Sequence, residues 1–280
     1  MNSTAYGMAL ALGASFTFSL MNALAKAVSH DMPSPEIAFF RGIFGLVVTV
    51  TMMLRAGVSF RGKRPGVLAV RGLLGGLSLL ANFATLSFIP LADATLIAHT
   101  SPLFVLVLAH FVLKEKLPKA FYAVFAVAIV GSLLVIKPGM EFLHSQWSLI
   151  GLLGAMIGAG ASISIRSLSK DHDTYIIMLY FMGAAALVPL PFIASFVWPS
   201  PKDWVMLFGL GTVSFAGQYL LTKAYSYKEA AVVALTRYAG ILFNIGLGFL
   251  CFQEIPDGWS LLGGALILAA CIQASRSPST

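Results

Sequence analysis

The chain has 280 residues, 58% of them hydrophobic and 10% charged, with a mean hydropathy of +0.88. A soluble domain is about 45–50% apolar and about 25% charged, so this composition excludes one and points to an integral membrane protein. The net charge of +7 does not indicate nucleic acid, because the basic residues are sorted by membrane side rather than gathered into a patch.

Apolar runs of roughly 17–25 residues, each able to cross a core of about 30 Å as a helix, recur along the whole chain. Ten helices are predicted, and the first five span 7–28, 36–54, 67–89, 93–113 and 120–136. The second five span 148–168, 174–197, 204–226, 230–251 and 258–274. Met1 to Tyr6 lacks the basic start of a cleaved signal, so the first helix is expected to stay in the product. It carries Asn22 and Lys26, the second Arg41, and the third Arg71 and Asn82. The fourth contains "HTSP", His99 to Pro102, the sixth a GxxxG pair at Gly154 and Gly158, and the eighth Gln218 and Tyr219. The ninth holds Arg237 and Tyr238 inside "VVALTRYAGILFNIGLGF". Cys251 and Cys271 fall near opposite membrane faces and are not expected to pair.

With the N-terminus inside, one set of connections carries Arg55, Arg61, Lys63, Arg64, Lys114 and Lys116, then Lys119, Lys170, Lys228 and Arg276. The other carries Lys137 and Lys202. This asymmetry places both termini in the cytoplasm of what is expected to be a bacterial inner membrane. Trp147, Trp198, Trp204 and Trp259 then all fall at outer-leaflet helix ends, where an indole ring is buried and its N–H stays wet.

The chain also repeats itself. "FATLSFIPLADATLIAHTSPLFVLVLAHFVLKE" at 83–115 lies without a gap over "TKAYSYKEAAVVALTRYAGILFNIGLGFLCFQE" at 222–254, each closing on a glutamate, Glu115 or Glu254, before a proline turn. Near the front of each half, "LAKAVSHD" at 24–31 resembles "LSKDHDTY" at 168–175. Five helices per half is an odd number, so the second copy enters the membrane from the opposite face. The expected fold is therefore an all-α integral membrane protein of ten transmembrane helices, in two inverted five-helix repeats at 1–140 and 141–280. Such repeats place a site near the midplane between the copies.

"LADATLIAHTSPLFVLVLAHFVLKEKL" resembles the signature of the EamA-type transporters of the drug/metabolite transporter superfamily, and "PEIAFFRGIF" looks like that superfamily's second-helix motif. The resemblance covers nearly the whole chain. It implies a 5+5 inverted basket with helices 1, 3, 4, 6, 8 and 9 around a central cavity and helices 5 and 10 outside. It also implies cargo such as amino acids, S-adenosylmethionine, riboflavin or nucleotide sugars, moved inward or outward. Ile241 stands where a ninth-helix proline equivalent to Pro102 is common in the family, leaving Gly240 to loosen that helix.

Arg237 lies about seven residues, or roughly 10 Å, into its helix, too deep to snorkel easily, and such a residue usually meets a wet cavity or a partner. Two roles are open to it: an internal lock on backbone carbonyls or Tyr238, or a fork for a substrate carboxylate or phosphate. Arg41 either pairs with Glu36 or binds substrate, and Lys26 either reaches water or touches substrate. Arg71, Arg166 and Lys223 are read as cytoplasmic topology determinants, with an inner-gate role as the lesser reading. Pro102 frees a carbonyl beside His99, Thr100 and Ser101, which makes that turn either a site wall or a kinked packing element. Asn22, Asn82, Gln218, Tyr219 and Tyr238 either tie helices together or line the cavity. Gly154 and Gly158 are explained by close packing alone.

Every acidic residue falls in a loop or at a helix end, so no carboxylate relay of the kind proton carriers use sits mid-membrane. His99 is the one central titratable group. An exchanger or facilitator is ranked above a proton-coupled exporter of amino acids or drugs. An intramembrane enzyme is disfavoured, because no HExxH motif exists and Ser101 and His99, two apart on a helix, point in different directions. A channel fits the inverted halves less well than a carrier. The expected protein is a secondary transporter of a small polar metabolite, amino-acid-like or S-adenosylmethionine-like, working by alternating access. Its candidate ligands are Arg237, Tyr238, His99, Thr100, Ser101 and Asn82, with Asn22, Arg41, Tyr219 and Gln218, and its kink residues are Pro102 and Gly240. No cofactor, metal or nucleic acid is expected; the partners are the metabolite and the bilayer, with a homodimer left open.

Overall fold

A computed structural model describes residues 3–89, 94, 97–115, 119–136, 146–252 and 258–276. In lipid each backbone N–H and C=O has to be satisfied within its own segment, which favours helices, and all the regular elements among the described residues are helical. They are α1 (Ser3–Val28), α2 (Ser34–Ala56), α3 (Pro65–Phe88), α4 (Ser101–Val112), α5 (Lys119–Ile136) and α6 (Gln146–Leu168). The second part continues with α7 (Thr174–Leu187), α8 (Pro201–Tyr227), α9 (Ala230–Thr236), α10 (Ala239–Phe252) and α11 (Gly258–Arg276). Five of these are long and apolar enough to cross a membrane, and the other apolar helices are shorter. The joint between the halves, 137–145, and the turn with Glu254 and Pro256 lie outside the described residues.

Local chemistry sets the helix ends. Gly57 closes α2 at φ 64°, a left-handed conformation in which its N–H reaches the carbonyls of Met53 and Leu54. Ser200 and Asp203 form a reciprocal capping box at the start of α8. The predicted span 174–197 is shorter than expected: α7 stops at Leu187, and Leu190–Ser195 is a 3-10 turn. Pro189 and Pro191 have no N–H to continue an α-helical ladder. The predicted single helix 230–251 is split into α9 and α10, and the helix predicted at 93–113 turns at His99 and Thr100 before α4 begins.

Four long pairings organise the bundle: α1 lies along α8, α3 along α6, α2 along α7, and α5 along α11. Small residues let the partners approach. A side chain at Gly154 would meet Ala81 of α3 at 2.6 Å and one at Gly158 would meet the Ser78 hydroxyl at 2.5 Å, while the Ser78 hydroxyl donates to the Gly154 carbonyl at 2.8 Å. The packing role read for this pair therefore fits its surroundings. Outward faces stay apolar, with Val205 74% and Leu54 67% exposed, as suits contact with lipid tails. Cys271 is a buried free thiol of α11; the Cys251 side chain lies outside what is described.

At Gly42 a Cβ would run into the α7 backbone at Ala185 and Ala186, so the helices themselves would have to separate. Gly42→Val is expected to cost about 1–3 kcal/mol through overpacking, measured as a lower apparent melting temperature of the purified protein in detergent.

Candidate functional site

The element that shapes the site is the interruption between α9 and α10. There the N–H groups of Arg237, Tyr238, Gly240 and Ile241 bond three residues back, to Ala234, Leu235, Arg237 and Tyr238, at 3.0–3.1 Å. Tightening from four to three residues moves the Gly240 N–H from the Thr236 carbonyl to that of Arg237. Side chains of the first half reach carbonyls at and beside the break. The Ser15 hydroxyl is shared between the Ala11 carbonyl at 3.0 Å and the Thr236 carbonyl at 3.3 Å, the Ser19 hydroxyl between the Ser15 and Gly240 carbonyls, both at 3.1 Å, and His99 Nε2 lies 3.3 Å from the Arg237 carbonyl. Ser15 and Ser19 stand one turn apart on α1, so both face the break.

The turn at His99 and Thr100 falls at almost the same place in the aligned first-half stretch. Pro102 sits in the first turn of α4, where a missing N–H is harmless, so it starts a segment rather than kinking a continuous helix. The second half breaks without a proline, beside Gly240.

Between the two breaks lies a cavity of about 200 Å³. Of the residues expected to bind, Arg237, His99, Ser101, Asn82, Asn22 and Arg41 line it, as do Gln218 and Gly240. No Asp or Glu is among its described lining residues. Arg237 is partly exposed, while its neighbour Tyr238 is buried.

Three expected ligands lie elsewhere. Tyr238 packs against the rings of His99 and Phe125, at 5.6 and 6.3 Å between centroids, and supports the wall from behind. Thr100 turns its hydroxyl to the Ile97 carbonyl at 2.6 Å, satisfying its own turn. Tyr219 packs on Tyr175 and accepts a hydrogen bond from Lys223 Nζ at 3.2 Å. Lys26 donates to the Leu86 carbonyl at 2.6 Å, tying α1 to the end of α3.

The arginines contain the main surprises. Arg41 does not pair with Glu36: its Nε donates to Ser214 of α8 at 2.8 Å, while Glu36 accepts from the Val197 N–H. Arg71, read as a topology residue, is buried and lines the cavity. Its signal was weak because depth along a helix does not say which way a side chain points. Arg166 joins a latch near the ends of α4, α6 and α8. Its Nε lies 3.5 Å from Glu115 Oε1 and its Nη1 donates to the Tyr225 carbonyl at 2.7 Å, while Glu115 accepts from the Ala230 N–H that opens α9. Burial pushes the Glu115 carboxyl above the usual range, and the Ala230 bond and Arg166 pull it back.

The profile of the EamA-like transporter family matches residues 5–137 and again 145–276. The chain belongs to that family. It is 44% identical over 273 residues to a pseudopaline exporter of Pseudomonas aeruginosa, covering 97% of this transporter and 96% of that protein. An S-adenosylmethionine uptake transporter of Rickettsia bellii is 28% identical, with 91% of this chain and 88% of that one aligned. A crystal structure with a TM-score of 0.80 and 22% identity, covering 96% of each chain, shares the fold. Family and relatives indicate membrane transport of small metabolites rather than catalysis.

Replacing Ser15 and Ser19 together by alanine removes the two hydroxyl contacts from α1 to the break. The expected loss is about 1 kcal/mol per bond, read as reduced thermal stability, with the two effects roughly additive.

Proposed function

We propose that this transporter is a secondary carrier which exports a small polar metabolite bearing an anionic group, by alternating access through the central cavity. In this reading residues 1–140 and 141–280 are inverted five-helix repeats in a bacterial inner membrane, with both termini cytoplasmic. Several observations support it. The family profile matches twice, and the helix pairings obey one exchange rule, since swapping halves turns the pair α1 and α8 into α6 and α3 and returns α2 with α7 to itself. The breaks fall at nearly equivalent places.

The observation that carries the proposal is Arg237, held at a helix break and partly exposed toward a cavity with no carboxylate among its described lining residues. Ser101 at the start of α4 and Gly240 in the first turn of α10 also border the space, so two helix N-termini add their partial positive charge. His99, Asn22, Asn82 and Gln218 offer neutral hydrogen bonds around this pole. Rocking one half against the other would break contacts such as the Glu115 to Arg166 latch at one end and re-form a barrier at the other. Pseudopaline is the first compound to test, on the strength of the exporter that is 44% identical.

Arg237→Ala is expected to abolish saturable counterflow of labelled pseudopaline in proteoliposomes while the protein remains folded and inserted; unchanged kinetics would remove Arg237 from the site. Exchange without a proton relay should also survive a collapsed proton gradient. Strict dependence on that gradient would favour the second reading, in which His99, at the cavity wall beside the Arg237 carbonyl, carries protons.

A further inference from the structure

Arg41 and Arg71 come from different helices, yet both guanidinium groups approach the ring of Phe181 in α7, at 5.5 and 4.5 Å from its centroid. Each of the two residues is 3% exposed. Gly75 makes room, since a Cβ there would collide with the Arg71 guanidinium and the Phe181 ring. The polar ends are poorly satisfied. Arg41 spends its Nε on Ser214, but its Nη1 has no hydrogen-bond partner, and neither do Nε and Nη1 of Arg71.

Two like charges taken out of water beside each other are costly, and an aromatic face offsets only part of that cost. Buried cations are ordinarily paired with carboxylates. Among the described residues none is at hand: the cavity that Arg41, Arg71 and Phe181 line has no described Asp or Glu, and Glu36, Glu115 and Asp171 are engaged with Val197, Arg166 and Arg64. A planar guanidinium with adjacent free N–H groups matches a carboxylate or phosphate edge. Arg237 lines the same space.

Building on the carrier reading above, we propose that Arg41, Arg71 and Phe181 form a second anion subsite beside Arg237, so that the transported metabolite carries at least two carboxylate or phosphate groups. A single-carboxylate zwitterion would leave this pair unneutralised, and no acid stands among the described lining residues to hold its cationic end. Arg71 is thus a specificity residue that selects for anionic charge number.

The full-length protein in detergent is titrated with butyrate, glutarate and tricarballylate, which carry one, two and three carboxylates, and affinity is followed by thermal shift. Affinity is expected to climb along the series, and Arg71→Gln should shrink the ratio between tricarballylate and butyrate by about tenfold, the scale of one lost charge-assisted bond. Arg71→Gln should also raise the ligand-free melting temperature, because it removes an unpaired buried cation; a merely structural arginine would lower it. Arg71→Lys keeps the charge and should retain most of the preference. Equal affinity for the three acids, no binding of any, or an unchanged ratio in Arg71→Gln overturns the subsite. Wild-type transport of pseudopaline alongside a flat series would sink the subsite alone, whereas unchanged counterflow by Arg237→Ala strikes at the carrier reading itself.

Discussion

Lipid offers no hydrogen bonds to a stray carbonyl, and the structure is arranged around that constraint at one place. The ninth apolar segment stops being an α-helix at Arg237 and starts again at Ala239. Ser15 and Ser19 of α1 and His99 of the first half stand beside its carbonyls, at Thr236, Gly240 and Arg237. The break makes the cavity polar, and the cavity in turn makes an intramembrane guanidinium tolerable.

Those contacts also join the two parts of the chain near the centre. Hydroxyls from the first half satisfy the backbone of the second, and Arg41 of α2 reaches Ser214 of α8. Toward the ends of α4, α6 and α8, Glu115 accepts the first N–H of α9 and meets Arg166, which in turn holds the Tyr225 carbonyl. A single carboxylate thus joins helix ends from both halves. Small residues along α3 and α6 keep that central pair close enough for the Ser78 hydroxyl to reach the backbone of α6, while the outer faces remain plain apolar surface for lipid.

Much of this was legible in the residues alone. Long uncharged apolar runs have one stable answer in a bilayer, so the membrane helices followed from hydropathy, and gapless self-similarity between 83–115 and 222–254 marked the duplication that the family profile also meets twice. Arg237, His99, Ser101, Asn22, Asn82 and Gln218 were visible as polar groups within apolar runs, and the structure sets them around the cavity. Side-chain direction was not visible. Tyr238 and Tyr219 occupy the right helices but turn into packing, and Thr100 serves its own turn.

Composition and spacing therefore determined that this is a helical membrane protein with cations inside apolar runs and two similar stretches, because burial of apolar surface and the hydrogen-bond demands of lipid act on local runs of residues. Tertiary structure decided which cations share a cavity. Arg71 and Arg41 are thirty positions apart on separate helices, and only the packing of α2, α3 and α7 brings both to the ring of Phe181. That meeting depends on helix rotation and on the space left by Gly75, neither of which the order of residues along one helix can specify.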